Sequence, residues 1–472
     1  MSESGLPPAQ AVVEDTLAAA RAGSDHCVVI VEETSEVEVR LANNTTTTNG
    51  RRRSRRVTVI SMRDVDGGMA AGVARRGGDV DIPELVRAAE ADAAGSPPAD
   101  DDAPLVQPAP TGTGSEGSAA FDAPPGQTDL TVLSGVLSEL SGSFGRARAA
   151  DYLLAGFAEH RRTTEYLGTS TGVRLAHSQP QGALQLVART GDGSASTWAG
   201  VATTDFADAS VDEVEARLRT RLAWSAERLD RAAGRYEVLL PSEAVADLMV
   251  SIAYEASGQD AEDGKTVFSR PGGGTRVGDV LSPLAFNLRS DPAEPGLECA
   301  PFLTASSSTS DTSVFDNGLP LHRTDWIVDG RLNRLRYHRA GAARSGTKPA
   351  GFIGNLVLEL PGAAGSLADM VSQTERGLLL TCLWYIREVD PATMLLTGLT
   401  RDGVYVVEDG EVVGASNNFR FNESPVDLLA RASEVGATQR ALGREFGEYL
   451  NRTRMPPLRI PDFNMSSVSQ AR

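Results

Sequence analysis

The chain has 472 residues, 41% hydrophobic and 23% charged, the make-up of an ordinary soluble globular protein of roughly two to three domains. Its net charge of −18 argues against a nucleic-acid binder, and all but two of its 45 basic residues (Lys265 and Lys348) are arginine. Cys27, Cys299 and Cys382 lie far apart without a CxxC pattern, which speaks against a disulfide framework and fits a reducing cytoplasm.

Residues 1–9 read as a loose tail, and MSESGLPPAQ lacks the basic and apolar regions of a signal peptide. No apolar run approaches the ~20 residues of a membrane span. Gln10 to Ala20 is an alanine-rich helix, followed by strands at Cys27–Val31, Val37–Ala42 and Val57–Met62. Between the last two, NNTTTTNGRRRSRR gathers Arg51, Arg52, Arg53, Arg55 and Arg56. A phosphate or nucleic-acid patch is conceivable there, but a solvated hairpin tip is the better reading, since the chain is acidic and no aromatic residues interleave. Asp81 and Pro83 start a helix over Ile82–Ala94. Residues 95–128, rich in Pro, Gly, Ala, Ser and Asp, read as a flexible linker or an excursion ordered at its ends.

An internal echo follows. Val39-Arg40-Leu41-Ala42 recurs as Val173-Arg174-Leu175-Ala176, each copy followed by a strand, a Gly-Val step (Gly72-Val73, Gly200-Val201) and a helix (Pro83–Ala94, Val211–Trp224). Residues 10–235 are therefore expected to form an α+β domain of two related halves, about 10–94 and 129–235, on a largely antiparallel sheet. Leu239 to Gly258 is the clearest helix of the chain. Ser242 is its expected N-cap and Gly258 its expected stop, and Val245, Leu248, Met249, Ile252 and Ala256 form one apolar face. Beyond it, hairpin signals at Asp329-Gly330, Asp402-Gly403 and Asp409-Gly410 mark residues 236–472 as a mostly antiparallel β domain. Leu378–Ile386 reads as one buried strand, and Val426–Ser433 and Ala437–Gly447 as helices.

Three motif matches lead nowhere. Gly168-Thr169-Ser170-Thr171-Gly172 fits G-x-S-x-G, but it joins two strands where a nucleophile elbow joins strand to helix. Gly264-Lys265-Thr266 lacks the first P-loop glycine at the right distance and follows an acidic stretch. Pro271-Gly272-Gly273-Gly274 is a turn. The histidines, His26, His160, His177, His322 and His338, are scattered, so the chain holds no HExxH-type helix. Cys382, set among apolar residues, reads as a small core residue.

Taken together and in order, several segments resemble the TldD/PmbA (TldE) metallopeptidase-related family. They are the VRLA pattern with Gly72-Val73, GTSTGVR (Gly168–Arg174), the central helix after Leu239-Leu240-Pro241 and FDNGLPLHRTDWIVDGRL (Phe315–Leu332). Arg376–Thr381, Thr397-Gly398 to Gly414 and Asn417–Phe421 complete the set. The resemblance implies that a TldD-type chain carries HExxxH on the central helix and a third zinc ligand, a cysteine, near its C-terminus. Here the corresponding stretch reads Val250-Ser251-Ile252-Ala253-Tyr254-Glu255, and no cysteine follows Cys382. No catalytic, cofactor-binding or metal-ligating residue is therefore assigned to this chain. The resemblance implies a non-catalytic TldE/PmbA-type subunit in a cytoplasmic heterodimer that degrades unfolded peptides, with zinc in the TldD-type partner. Alternatives are a self-sufficient hydrolase with a non-HExxxH site and a peptide-binding or maturation factor.

Overall fold

In the computed structural model, which describes residues 6–108 and 120–470, the N-terminal part is built on one six-stranded antiparallel sheet. Strands β1 (His26–Ala42), β2 (Thr45–Val65) and β3 (Gly68–Gly77) form a meander between α1 (Ala9–Ala20) and α2 (Ile82–Gly95). Strands β4 (Tyr152–Thr169), β5 (Arg174–Thr190) and β6 (Ser196–Thr203) form a second meander between α3 (Ser134–Ala149) and α4 (Val211–Trp224). The order β3-β2-β1-β4-β5-β6 sets the two meanders back to back across the β1·β4 pair.

The register corrects the repeat as read from the tetrapeptide. Val39–Ala42 closes β1, whereas Val173–Ala176 lies on the far side of a turn and opens β5. The two VRLA copies are therefore not equivalent positions. Gly72 does serve packing: a Cβ there would meet the Ala93 nitrogen at 2.0 Å, so glycine lets α2 lie on β3.

Odd-numbered β1 residues face the helices. Val29 and Val31 pack with Val12, Val13, Leu85 and Val86, and Val37, Val39 and Leu41 with Leu133, Leu140 and Leu218. Even-numbered ones face the other way, where Val28 and Ile30 meet Phe302, Val314 and Phe315 of the C-terminal half. Further along that face the apolar residues stop and a charge ladder begins. Arg56 pairs with Glu32 (3.3 Å), Glu36 with both Arg52 (3.0 Å) and Arg161 (3.0 Å), and Arg161 with Glu159 (2.9 Å).

This ladder overturns the hairpin-tip reading of Arg51–Arg56. The predicted strands Cys27–Val31 and Val37–Ala42 are one strand, and the arginines belong to β2, with Arg52 opposite Glu36 and Arg56 opposite Glu32. The hairpin turns at Asn43-Asn44, both with positive φ (50° and 59°), as a tight hairpin connection requires.

The described parts of 95–128 are packed: Ala103 and Leu105 are buried, Phe121 meets Tyr166 edge-on, and Gly126 N–H donates to Thr164. Residues 109–119 of that stretch and 1–5 of the expected tail lie outside the described residues.

The C-terminal half carries two sheets. One contains β8 (Asn287–Ser290), β9 (Thr324–Val328), β10 (Arg331–Leu332), β11 (Leu356–Glu359), β19 (Gln439–Ala441) and β20 (Thr453–Met455). The other contains β7 (Gly234–Leu240), β12 (Arg376–Leu380), β13 (Leu383–Asp390), β14 (Leu395–Thr400) and β15 (Val404–Glu408). It also takes β16 (Glu411–Ala415), β17 (Phe419–Glu423), β18 (Glu434–Val435) and β21 (Leu458–Val468). All pairs are antiparallel except β7·β12 and β11·β20. Between and around them lie α5 (Ser242–Tyr254), α6 (Gly258–Glu262), α7 (Arg339–Arg344), α8 (Leu367–Ser372) and α9 (Pro425–Arg431).

Three local expectations fail here. Leu378–Ile386 is two strands, broken at Thr381-Cys382, and β12 and β13 are not neighbours. Asp402-Gly403 is a turn but not a hairpin, because β14 and β15 do not pair. Ala437–Gly447 is a short strand and turns, held by tertiary hydrogen bonds described below.

Candidate functional site at the central helix

Helix α5 is buried nearly all round. Ala244, Val245, Ala246, Leu248, Met249, Val250 and Ile252 are all in the core, the pattern of a helix enclosed on every side. Its start differs from the expectation. Pro241 occupies the N-cap, and Ser242, the first helical residue, has its hydroxyl accepting from Gln439 (3.1 Å). Glu243 in the first turn pairs with Arg217 of α4 (3.2 Å). The helix stops at Glu255, not Gly258. Gly258 opens α6 and lies so close to the Tyr337 ring that a Cβ would meet it at 2.0 Å.

Two side chains on this helix carry the chemistry. Asp247 is fully buried, and its carboxylate accepts from the backbone N–H groups of Arg444 (2.7 Å), Glu445 (2.9 Å) and Phe446 (3.0 Å). Burial outweighs these three donors and pushes its pKa up to about 7. Neither Asp247 nor this anchoring role stands out in the sequence; only a carboxylate inside an apolar helical face signals it.

At the other end, Tyr254 is 40% exposed and its ring stacks on Phe352 (5.8 Å between centroids). The Arg336 guanidinium lies 5.5 Å over the same Phe352 ring, pairs with Asp311 (2.6 Å) and donates to the Tyr254 carbonyl (2.6 Å). Burial raises the pKa of Glu255, with Arg336 opposing; burial also raises that of Glu388, with Glu255 adding to it. Glu445 accepts from Tyr385 N–H (3.1 Å) and from Arg387 (2.9 Å), so the turn that Asp247 holds also fixes the exposed Tyr385. Tyr254, Tyr385 and Tyr449 stand exposed at 40%, 52% and 73%. The result is a surface of aromatic rings and carboxylates around the open end of α5.

The residues here do not fit a zinc ion. Val250, where a ligand would stand, is aliphatic and 1% exposed, and no histidine lies on the helix. Among the described residues no three His, Cys, Asp or Glu side chains are grouped to hold a metal. His160 is buried on the N-terminal sheet, its ring nitrogens hydrogen-bonded to Thr128 (2.6 Å) and the Thr204 carbonyl (2.8 Å). His26 opens β1, His177 lies on β5, His322 is exposed, and His338 caps α7. The three cysteines are free and buried, and burial raises each thiol pKa, Cys27 to about 12 and Cys299 to about 11. Cys382 packs with Trp198, Ala202 and Leu442. Ser170 sits in the β4–β5 turn accepting from Cys27 N–H (3.1 Å), and Lys265 is paired with Asp263 (2.8 Å) and Asp260 (3.3 Å). Neither has the setting of a nucleophile or a phosphate loop.

Residues 233–467 match the family model of the PmbA/TldA metallopeptidase C-terminal domain. No curated protein sequence matches the chain. Among solved structures, it is similar to TldE from Thermococcus kodakarensis, with 17% identity and a TM-score of 0.77, over 96% of this chain and 99% of that one. It is also similar to a proposed modulator of a DNA gyrase from Thermotoga maritima MSB8, with 15% identity and a TM-score of 0.74, over 96% and 99% of the two chains. A proposed modulator of DNA gyrase from Bacteroides thetaiotaomicron VPI-5482 gives 13% identity and a TM-score of 0.73, over 97% and 99%.

An antiparallel sheet of two meanders, joined to a β body around one buried helix, thus defines a metallopeptidase-related class of α+β protein. Within it, the chain belongs to the TldD/PmbA family.

Proposed function

We propose that this protein is a non-catalytic TldE/PmbA-type subunit of a cytoplasmic zinc peptidase, paired as a heterodimer with a TldD-type chain that holds the metal. The observation that carries the proposal is the central helix. At the place where the resemblance puts HExxxH, it presents Val250, Ser251 and Glu255, and its inward face is filled with core side chains. Extended peptide would lie on the exposed rings of Tyr254, Tyr385 and Tyr449, which offer apolar area with little sequence preference. Glu255 and Glu388 beside them would favour peptide segments that carry positive charge. That no helix among the described residues is long and apolar enough to cross a membrane is compatible with this reading.

Two measurements test it. The purified chain alone should carry no stoichiometric zinc by elemental analysis and should leave unfolded peptides intact. Mixed with a TldD-type partner it should form a heterodimer that degrades them. Tightly bound metal or proteolysis by the lone chain would replace the proposal with a self-sufficient hydrolase; a pair without proteolysis would leave a binding or maturation factor.

A further inference from the structure

The turn that Asp247 holds also carries Arg444, whose side chain reaches from the N-terminal sheet to β13. Its guanidinium carbon stands 4.2 Å from the centre of the Trp384 ring of β13 and 5.5 Å from that of Trp198 of β6. Its Nη1 donates to Gln185 Oε1 of β5 (3.3 Å), an oxygen that also accepts from Trp198 Nε1–H (3.3 Å). Aromatic faces hold a guanidinium plane in one orientation, which suits it to recognition of a carboxylate.

No protein carboxylate pairs with this cation among the described residues. Those of the surrounding elements are engaged elsewhere. Asp247 accepts from three backbone amides, Glu445 from Tyr385 N–H and Arg387, and Asp402 from Ser196 while pairing with Arg401 (3.6 Å). Arg444 Nε and, on the ring it lies over, Trp384 Nε1 are both buried donors without an acceptor. Unanswered donors on an uncompensated cation are costly, and such an exception in a folded chain calls for a missing partner. Arg444 is itself partly exposed, and its Nη2 is neither bonded nor enclosed, so the guanidinium keeps one open edge.

That edge adjoins the surface of exposed rings. Trp384 meets Tyr385 edge-on (5.7 Å between centroids), and Tyr385 is the half-exposed ring of that surface. Past Tyr385 along β13 comes Glu388, whose charge and that of Glu255 act on each other. The surface therefore has a cationic end at Arg444 and an acidic end at Glu255 and Glu388.

We propose that Arg444, backed by Trp384, is the carboxylate-binding end of this surface, so that a bound peptide lies across Tyr385 with its carboxylate at Arg444 and its cationic end at Glu255 and Glu388. The inference rests on the peptide reading of the surface and adds a direction and a ligand chemistry to it. The carboxylate is a free C-terminus or an acidic side chain.

With four tryptophans in the chain, 5-fluorotryptophan labelling gives four ¹⁹F signals, and Trp384→Phe identifies the one that matters. The full chain is titrated with the peptide Lys-Ala-Tyr-Ala-Ala as free acid, with its C-terminal amide, and with Lys-Ala-Tyr-Glu-Ala amide. The Trp384 signal should shift saturably, and the plain amide should bind about tenfold more weakly than the free acid, the worth of a charged hydrogen bond. Rescue of the amide by the internal glutamate names the acidic side chain as a source; no rescue names the C-terminus. In Arg444→Met, which fills the same space without charge, acid and amide should bind alike. Arg444→Lys, which keeps the charge without the planar fork, should show a reduced preference. Equal binding of all three peptides by the wild type would overturn this inference and leave the peptide surface standing. A Trp384 signal that no peptide moves would overturn both, and an undiminished preference in the folded variants would take the carboxylate away from Arg444.

Discussion

Asp247 is where a single residue does most to shape the surface around α5. Its three amide donors fix residues 444–446, and Glu445 of that turn in turn fixes the β13 backbone at Tyr385. Asp247→Ala would remove the shared acceptor of three N–H groups in a half-buried turn, so it should cost about 3 kcal/mol in unfolding free energy. Hydrogen exchange at residues 444–446 should accelerate more than at the rest of α5. If both quantities stay at wild-type values, the turn is held by something other than this carboxylate. Asn44 plays a comparable part in the first hairpin. Its amide donates to the Tyr152 carbonyl (2.8 Å) and accepts from Leu154 N–H (2.6 Å), and its φ is 59°. Asn44→Ala loses both bonds and adds left-handed strain, so we expect about 2 kcal/mol of destabilisation in denaturant unfolding, against near zero for the exposed neighbour Thr46→Ala.

Among the elements, α5 could be read from its apolar spacing because helical periodicity survives burial. Its ends could not, since Pro241 and Glu255 cap it where Ser242 and Gly258 look better on paper. The long strands were harder for a physical reason. Between Glu32 and Glu38, β1 replaces alternating apolar residues with ion pairs to β2 and β4, so hydrophobic pattern, the main strand signal, vanishes in mid-strand. The same substitution made five arginines of β2 look like a loop. Ala437–Gly447 misled in the opposite sense: its helical spacing was overridden by Asp247, a partner about 200 positions away that no local pattern reveals. The residues at the place where the resemblance puts HExxxH, by contrast, are read directly, since Val250, Ser251 and Glu255 are a matter of residue identity at one helix. That point can be tested by substitution. Val250 is 1% exposed among core side chains, so Val250→His would bury an imidazole without a partner and should lower stability by about 2 kcal/mol without creating a zinc site. A Val250→His chain of wild-type stability that binds zinc would mean the helix faces an open site.

At the scale of the whole molecule, the two halves meet where the N-terminal sheet lies against the C-terminal loops, and Glu165 of β4 marks that contact. It stands opposite Glu32 on β1 and His177 on β5, and it accepts from Thr304 of the C-terminal half (3.1 Å). Burial first, and the Glu32 charge second, push its pKa up to about 7 from an ordinary carboxylate value of 4.5; the Thr304 hydroxyl opposes them. A folded-state pKa above the unfolded one means the folded chain holds this proton more tightly. The stabilisation is therefore complete below about pH 4.5 and is lost as the pH climbs through about 7, when a carboxylate must be carried in the contact. Asp247 titrates in the same window, so the effect of Glu165 has to be read as a difference between two chains that share every other group. Glu165→Gln keeps the acceptor for Thr304 and never ionises. Denaturant midpoints at pH 5 and pH 8 should fall further for the wild type than for Glu165→Gln, with the two curves closest at the acid end. Parallel curves across that range would show that Glu165 is solvated in the folded protein and that the contact between the halves carries no buried proton.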